Sequence, residues 1–330
     1  MRLLSPIIAA ALAVAALPAG ATDFGRGAVG TSGSEFLLMD TSARGIAMGG
    51  AMSAVSNDSS SIYWNPAGLT RVPRMSASFM HAQYVADIVY DAGSYAQRVN
   101  DSSVLGAGAR FLDGGPITKT DISGVNVGVF RPRSYVAEVG WGQAIYDFSD
   151  SEADVAMGVS ARAIRTDLGL ATADGFAGDF GILSRFYTAA QTYDVGFVIQ
   201  NFGSGQKFDQ VRDSLPTRVR FGGSVKPSKE LTLSLEGIAP VNNEPYGAAG
   251  FEYASEVQRG VTGSARAGIN TLTYQSLGPA SMPSVGLGLA FGNLSFDYSF
   301  VPMGALGIAT HRLSVSFNLS AKASRRYRQR

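Results

Sequence analysis

From about Arg74 to the C-terminus, apolar and polar residues alternate one by one in segments of about ten residues. Clusters of Gly, Asp, Asn, Ser and Pro separate these segments, as expected for strands joined by turns. In the last segment, Leu313, Val315 and Phe317 alternate with Ser314 and Ser316. Helical spacing is nearly absent beyond about the first sixty residues. The pattern predicts roughly fourteen antiparallel strands.

Alternation alone is compatible with a soluble sandwich, whose apolar face points inward, and with a membrane barrel, whose apolar face meets lipid. The polar face distinguishes them: it consists of small polar residues with single charges and very little Lys. A face exposed to water would carry more Lys and Glu. Aromatic residues such as Tyr187 and Tyr253 lie near segment ends, which is typical of interfacial girdles. The sequence therefore favours an all-β transmembrane barrel with its polar face around a lumen.

The N-terminus has the pattern of an export signal. Arg2 precedes an almost wholly apolar run from residue 3 to residue 17, and Ala19-Gly20-Ala21 fits a small-x-small cleavage site. An uncleaved membrane anchor is the alternative, but the run is short for a span of about 20 residues. We therefore expect cleavage near Ala21 and a mature protein in the outer membrane. The chain is predicted to have four segments: a signal peptide (1–21), a hatch (22–72), a barrel (73–320) and a basic periplasmic tail (321–330).

The charged residues of the polar face have both signs. If the apolar residues point outward, the lumen is lined by Arg110, Glu138, Arg162, Asp179, Asp194, Arg218, Arg220, Glu236, Glu252, Arg266, Asp297 and Arg312. An ion-selective pore would carry a ring of one sign. Mixed signs predict internal ion pairs, with a polar wall around a narrow ligand path as the functional alternative. We expect Arg312 to compensate Asp297 or a nearby acid.

The segment from Glu35 to Val72 lacks alternation and precedes the first strand. Its apolar residues need burial, and the barrel lumen is the one large cavity available, so we predict a short helix and turn packed inside as a hatch. Pro66 fixes its own φ and excludes the helical region for Asn65, which gives a rigid turn. The glycine spacing is that of a phosphate loop, but no Lys-Ser/Thr pair follows. The predicted hatch and junction residues are Arg44, Gly45, Met48, Gly49, Trp64, Asn65, Pro66, Gly68 and Leu69.

Composition removes several classes of function. The 330 residues carry 27 Lys+Arg and 26 Asp+Glu, so no basic excess exists to neutralise nucleic-acid phosphates. Cys is absent, which excludes thiolate chemistry, and His81 and His311 are the two histidines. A hydrolase would need one of them as a base. We predict no catalytic, cofactor-binding or metal-binding residues.

The two histidines have outward parity on the first and last predicted strands, which pair antiparallel in a closed barrel. Both should therefore lie close together near the outer interface, where the barrel closes. A two-histidine metal or pH-sensing site is the alternative, but no carboxylate of matching parity obviously joins them.

The run FLLMDTSARGIAMGGAMSAVSND at 36–58, followed by YWNPAGL at 63–69, resembles the PorV/PorQ family within the wider FadL-like outer-membrane barrels. The resemblance continues through AGDFG at 177–181, NFG at 201–203, FEY at 251–253, FDY at 296–298 and GIATHRLS at 307–314. It covers nearly all of the predicted mature chain in the same order. The family implies a fourteen-stranded barrel with its N-terminal segment in the lumen.

The resemblance implies two non-enzymatic roles without a cofactor. PorV-like proteins are accessories of type IX secretion, which hold exported cargo at the cell surface and deliver it to an attachment complex. FadL-like relatives import hydrophobic small molecules. The implied partners are outer-membrane lipid and either secreted cargo with other secretion components or a hydrophobic ligand, with no nucleic acid. The connections between predicted strands are modest for a broad docking surface, the longest being near 113–132 and 203–216.

Overall fold

Fourteen strands close into one antiparallel barrel in the computed structural model, which confirms the predicted fold class. The structure describes residues 28–147, 153–188, 191–210 and 212–319. The predicted signal peptide and basic tail lie outside the described residues. No helix in the described part of the chain has the length and apolar character needed to cross a membrane.

The described residues form sixteen strands, of which β4 and β5 form a separate hairpin. Their bounds are β1 Met75–Gln83, β2 Val89–Arg98, β3 Ser103–Asp113, β4 Ile117–Thr120, β5 Asn126–Phe130, β6 Arg133–Asp147, β7 Ala153–Asp167, β8 Thr172–Tyr187, β9 Thr192–Ser204, β10 Arg218–Lys226, β11 Leu231–Pro240, β12 Tyr246–Gln258, β13 Val261–Asn270, β14 Pro283–Phe291, β15 Leu294–Pro302 and β16 Ala309–Leu319. The barrel pairs each strand with its neighbour in this order, except that β3 pairs with β6, and β16 closes onto β1.

Short helices lie outside the strands. The 3₁₀ helices are η1 Glu35–Leu38, η2 Pro66–Arg71, η3 Val85–Asp87, η4 Pro279–Ser281 and η5 Gly304–Leu306, and the α-helices are α1 Ala43–Ala47, α2 Ser61–Trp64 and α3 Tyr274–Leu277. The first four along the chain, η1, α1, α2 and η2, belong to the segment that precedes β1.

The faces of the strands follow the predicted parity. All twelve charged residues assigned to the lumen are buried, from Asp179 at 1% exposure to Asp297 at 9%. Large apolar residues such as Val139, Leu235 and Leu287 point outward and are exposed. This inversion of the usual soluble pattern is that of an outer-membrane barrel.

The two ends of the barrel differ in their connections. At one end, short turns join the strands, for example at 227–230, 259–260 and 292–293. At the other end, the connections include 114–132, 205–217 and 271–282. In outer-membrane barrels the short turns are periplasmic and the longer loops are extracellular. Strand β1 therefore begins at the periplasmic end.

The longest predicted connection is partly a strand pair. We expected a loop near 113–132, but β4 and β5 form a hairpin that projects beyond β3 and β6 at the extracellular end. Its base is fixed by a backbone hydrogen bond from Gly114 N to Pro132 O at 2.8 Å. The sequence prediction treated this stretch as a loop because its strands, of four and five residues, are much shorter than the barrel strands.

Residues 28–72 run through the lumen from its extracellular end to its periplasmic end. At the extracellular end, Gly33 N donates to Ser214 O at 2.9 Å, and Asn242 Nδ2 donates to Ser32 Oγ at 2.5 Å. At the periplasmic end, Arg98 Nε donates to Val72 O at 3.1 Å, just before β1. From here on, the hatch means residues 28–72, which are the described part of the predicted segment 22–72.

The wall that faces the hatch is smooth because glycines point inward on eight strands. This glycine belt consists of Gly142, Gly158, Gly181, Gly196, Gly222, Gly250, Gly268 and Gly286. Several are cross-strand neighbours, as in the row Gly142, Gly158 and Gly181. A Cβ on Gly158 would lie 2.2 Å from Pro66 C, and one on Gly268 would lie 2.0 Å from Gly49 N. Hatch backbone therefore touches wall backbone directly.

Replacing Gly158 by Val should displace the hatch, because valine suits a strand but its Cβ cannot occupy the position of the Pro66 carbonyl carbon. We expect overpacking to lower the free energy of unfolding by about 1–3 kcal/mol. Gly237→Val is the matched control, because Gly237 is exposed on β11 and a Cβ there meets nothing within 4 Å. Urea titration in lipid vesicles measures both. Equal midpoints would contradict direct packing of the hatch on the belt.

The barrel seam pairs β1 with β16, as predicted. His81 lies opposite Leu313, and His311 lies opposite Gln83, so the histidines are diagonal neighbours on the outward face. His81 Nδ1 lies 2.7 Å from Asp91 Oδ1 on β2, and His311 Nδ1 lies 2.6 Å from the Tyr298 hydroxyl. The expectation that no carboxylate joins them is therefore wrong for His81. The described residues hold no group of three or more His, Asp or Glu side chains placed to bind a metal.

A cysteine pair tests the seam register in this cysteine-free chain. The variant His81→Cys/Leu313→Cys should form a disulfide on mild oxidation, because directly opposed residues of an antiparallel pair bring their Cβ atoms to about 4.5–5.5 Å. The pair His81→Cys/Phe317→Cys, displaced by four residues, should stay reduced. The shift of the folded band on non-reducing gels reports the bond. Preferential oxidation of the displaced pair would refute the register.

Candidate functional site

The centre of the hatch is the turn at Asn65 and Pro66. Asn65 is extended, with φ −161°, as the following proline requires, and it caps helix η2 by accepting from Ala67 N at 3.0 Å. Its amide nitrogen donates to Ser53 O at 2.7 Å and to Ile182 O of β8 at 3.1 Å. This one buried side chain therefore joins two parts of the hatch to the wall.

The predicted junction residues surround this turn. Trp64 is fully buried against Met48, and its indole nitrogen donates to Ser42 Oγ at 3.3 Å. Gly45 must be small, because a Cβ there would lie 2.3 Å from the Trp64 ring. Leu69 is buried on the opposite side, against β2 and β3. Gly68 and Gly49 likewise lie where a Cβ would meet other atoms at less than 3 Å.

One buried charge network crosses four strands of the wall. Glu138 on β6 lies 3.1 Å from Arg110 Nη2 on β3 and 3.3 Å from Arg162 Nε on β7. Arg162 also pairs with Asp179 on β8. Asp179 Oδ1 accepts from Asn201 N at 2.8 Å, where the β8–β9 register shifts and Asn201 has φ 58°. A carboxylate thus replaces a missing ladder partner at the bulge.

A second set of charges binds the hatch backbone. Arg220 Nε donates to Glu236 Oε1 at 2.5 Å, and Arg220 Nη2 donates to Gly50 O at 2.6 Å. Glu236 Oε2 accepts from Ser53 N at 2.9 Å. The Arg220 guanidinium also lies 5.3 Å from the Trp64 ring centroid. Cross-strand ion pairing in the wall therefore leaves donors and acceptors for the hatch.

The Tyr63 ring lies between two arginines. The Arg110 guanidinium is 5.3 Å and the Arg218 guanidinium 5.9 Å from its centroid. Its hydroxyl donates to Asp40 Oδ1 at 3.1 Å and accepts from Arg218 Nη2 at 3.0 Å. Burial raises the pKa of Asp40, against the opposing effect of Arg218 and Arg220. The part of the hatch around Tyr63 is therefore fixed by cation–π contacts and by hydrogen bonds to charged side chains.

Toward the periplasmic end, charges of the hatch and wall alternate. Arg44 of the hatch donates to Glu252 through Nε at 2.8 Å and through Nη2 at 2.9 Å, a bidentate pair. Arg266 on β13 donates to Glu252 at 2.6 Å and to Asp297 at 2.7 Å. The four side chains form one row, with Arg44 as the hatch contribution.

The predicted pairing of Arg312 with Asp297 is wrong. Its inward parity is correct, but Asp297 pairs with Arg266, which is two strands away from Asp297. Arg312 instead donates to the Tyr84 hydroxyl at 3.0 Å, with its guanidinium 5.1 Å from the Tyr84 ring centroid. Its Nε and Nη1 have no hydrogen-bond partner among the described residues. Parity gives the direction of a side chain and not the partner that it meets.

Sequence reasoning missed Arg71 as a hatch residue. Its Nη2 donates to Asp194 Oδ1 at 2.5 Å, and its Nη1 donates to Ala54 O at 2.7 Å. Burial lowers the pKa of Arg71 to about 10. Asp194 also accepts from Arg185 at 2.8 Å, so one carboxylate of β9 holds two guanidiniums. The signal available in the sequence was a cation two residues after the YWNPAGL motif.

Cavities lie at both mouths of the lumen. One of about 510 Å³ opens at the periplasmic end and is lined by Arg71, Arg98 and Arg185 among others. Another of about 410 Å³ lies at the extracellular end between the loops 241–245 and 271–276. Between them, the hatch packs against the glycine belt and the charge networks. A third cavity, of about 310 Å³, lies inside the periplasmic half and is lined by Arg44, Arg266 and Asp297 among others. The arrangement can bind molecules at these cavities, and the hatch fills the lumen where it packs against the glycine belt.

Solved structures with a similar fold include toluene transporters and a FadL homologue. The toluene transporter TodX of Pseudomonas putida matches with a TM-score of 0.55 and 12% identity, over 84% of this chain and 97% of that one. The toluene transporter TbuX of Ralstonia pickettii matches at 0.54 and 12%, over 86% and 100%. A FadL homologue of Pseudomonas aeruginosa matches at 0.51 and 11%, over 84% and 98%.

At these identities the likeness shows the fold alone. No curated protein matches this sequence. Residues 25–230 match the family described as Type IX secretion system protein PorV, which is more than half of the chain and includes the hatch and its junction with β1. This protein is therefore an outer-membrane β-barrel with a FadL-like fold, and it belongs to the PorV family.

Proposed function

We propose that the protein is an accessory of type IX secretion that binds exported proteins or other secretion components at the outer membrane. The observation that carries the proposal is the closed lumen of a PorV-family barrel. Arg44 and Arg71 of the hatch pair with Glu252 of β12 and Asp194 of β9, and Arg220 of β10 donates to the hatch backbone. A barrel closed by buried charges acts through its rims rather than by conducting solutes. The proposed role involves no catalysis and no cofactor.

Deleting the gene in its native host tests this role. We expect exported proteins to disappear from the cell surface and to accumulate in the periplasm. The intact gene supplied from a plasmid should restore their surface exposure. Protease accessibility on whole cells and fractionation measure the distribution. Unchanged surface exposure in the deletion strain would contradict the proposal.

Uptake of hydrophobic small molecules is the second candidate. It is favoured by an apolar cluster in the extracellular half of the lumen, where Ile46 of the hatch packs with Met80 and Tyr90 of the wall. Two of the similar solved structures, TodX and TbuX, are toluene transporters. Uptake of labelled toluene by cells with and without the gene tests it. A large loss of uptake with normal export would favour this candidate over the first.

A further inference from the structure

The extracellular cavity of about 410 Å³ has a mostly polar lining. It lies between the β11–β12 loop and the β13–β14 loop, beside Val29 of the hatch. Its volume is within the range of about 300–1,000 Å³ that small-molecule sites occupy. Seven of its ten lining residues carry a polar side chain, namely Asn243, Glu244, Tyr246, Thr271, Tyr274, Gln275 and Ser276. We call this cavity the polar pocket.

Both loops that form the polar pocket are held by side-chain hydrogen bonds. In the β11–β12 loop, Asn242 Nδ2 donates to Ser32 Oγ of the hatch at 2.5 Å. In the β13–β14 loop, Thr273 Oγ1 donates to Ser281 Oγ at 2.8 Å, which closes the loop on itself. A ligand therefore meets walls that are already formed, and preformed walls lower the entropy cost of binding.

The lining includes both donors and acceptors that have no hydrogen-bond partner in the described part of the chain. Gln275 Nε2 donates to Glu244 Oε2 at 3.1 Å, which leaves Gln275 Oε1 and Glu244 Oε1 as acceptors. Asn243 Oδ1 accepts from Glu244 N at 2.7 Å, which leaves Asn243 Nδ2 as a donor. The Tyr274 hydroxyl can donate or accept. A ligand that pairs with all of these groups must itself both donate and accept hydrogen bonds.

Two phenol rings add apolar area to this polar lining. Tyr274 is 50% exposed, and Tyr246 lies deeper, where its hydroxyl accepts from Arg218 Nη1 at 3.4 Å. A phenol ring provides a flat apolar face beside its polar hydroxyl. A pyranose ring has a complementary shape, because its C–H groups form an apolar face and its hydroxyls each donate and accept hydrogen bonds around the edge.

Other classes of ligand fit the polar pocket less well. None of the ten lining residues is Lys or Arg, so a phosphate or carboxylate would find no cation to pair with. Glu244 is the one acid among them and already accepts from Gln275, and a cationic ligand would leave the Asn243 donor unmatched. An apolar ligand would bury the carboxylate and the amides without hydrogen bonds.

We infer that the polar pocket binds a neutral saccharide, with a sugar ring packed against Tyr274 and its hydroxyls hydrogen-bonded to Glu244, Gln275 and Asn243. The aromatic ring provides contact area, and the polar side chains provide orientation. The inference goes beyond the proposed function, since binding at this mouth requires neither a role in secretion nor passage of a solute through the barrel.

A glycan microarray tests the inference with the purified full chain in a detergent without a sugar headgroup, because a glycoside detergent would compete. The array carries neutral and acidic bacterial glycans, each displayed in many copies so that weak single-site binding is detected. We expect binding to neutral glycans, weakened about tenfold or more by Tyr274→Ala and by Glu244→Gln. An excess of soluble monosaccharide distinguishes the sources: it displaces the protein if a free sugar is the ligand, and it fails to do so if a longer surface glycan is required.

Tyr135→Ala and Glu230→Gln are the matched controls. Tyr135 is an exposed tyrosine on the outer wall at the extracellular end of β6, and Glu230 lies in a periplasmic turn. Both controls should bind glycans like the parent protein, and all four variants should run on unheated gels at the position of the folded parent. The absence of binding to any glycan, binding to acidic glycans alone, or binding that neither Tyr274→Ala nor Glu244→Gln weakens would overturn the inference.

Discussion

Removing residues 35–69 is expected to turn a closed barrel into a conducting one. The wall retains its own ion pairs, such as Arg110–Glu138, Arg220–Glu236 and Arg266–Asp297, so it can close without the hatch. The vacated lumen is lined by polar side chains and will fill with water. We expect single-channel conductance in planar bilayers to rise at least about tenfold over the full chain, as for barrels with an unobstructed lumen.

A deletion of the β4–β5 hairpin, residues 117–130, is the matched control, since it removes chain outside the lumen. It should leave the conductance at the level of the full chain. Both proteins must first show heat-modifiable migration, which means that heated and unheated samples run at different positions on a gel, as folded barrels do. A folded, inserted barrel that lacks residues 35–69 and still does not conduct would show that the hatch is not what closes the lumen.

Replacing Arg266 by Leu should destabilise the barrel far more than replacing Arg312 by Leu. Arg266 bridges two buried carboxylates, Glu252 and Asp297, and Asp297 has no other ion-pair partner among the described residues. Removing one partner of a buried pair costs about 3–5 kcal/mol, because the remaining charge is uncompensated. Among the described residues, Arg312 donates one side-chain hydrogen bond, to the Tyr84 hydroxyl, and forms no ion pair, so its loss should change stability by no more than about 1 kcal/mol.

Urea unfolding in lipid vesicles compares the two substitutions directly. Loss of the buried Trp64 environment reports the hatch, and heat-modifiable migration reports the barrel. The double variant Arg266→Leu/Asp297→Leu is the control for uncompensated charge, and it should recover part of the loss by removing the orphaned carboxylate. A larger effect of Arg312→Leu than of Arg266→Leu would contradict the observed pairing.

The sequence predicted the barrel well because one face of each strand meets lipid and the other face lines the polar lumen. Residues such as Leu313 and Val315 must meet lipid while Arg312 and Ser314 cannot, and strand geometry turns that requirement into strict alternation. The same rule placed every lumen charge correctly. It could not give pairing, because Arg266 and Asp297 meet across β14, whose inward residues Gly286 and Gly288 leave room between them, and the register of β14 depends on turns elsewhere.

Hatch geometry was less predictable from sequence. The Asn65–Pro66 turn followed from local backbone sterics, which are encoded within two residues. The contacts of Arg71 and Tyr63 depend on the whole path of the chain through the lumen, for which no periodic signal exists. The glycine belt was visible only as a high glycine content, since its function depends on which glycines share a level of the barrel. The β4–β5 hairpin was not predicted from the sequence because its strands have only four and five residues.

The path of the hatch also sets an order of assembly. Its chain starts at the extracellular end, runs down the lumen and continues into β1 at the periplasmic end, while β1 completes the cylinder by pairing with β16. The segment that fills the lumen is therefore continuous with one of the two strands that form the seam. If the seam closed first, this segment would have to thread through the periplasmic mouth past buried charges. We expect docking of the N-terminal segment to precede seam closure, so that an intermediate with an open β1–β16 seam accumulates when docking is slow.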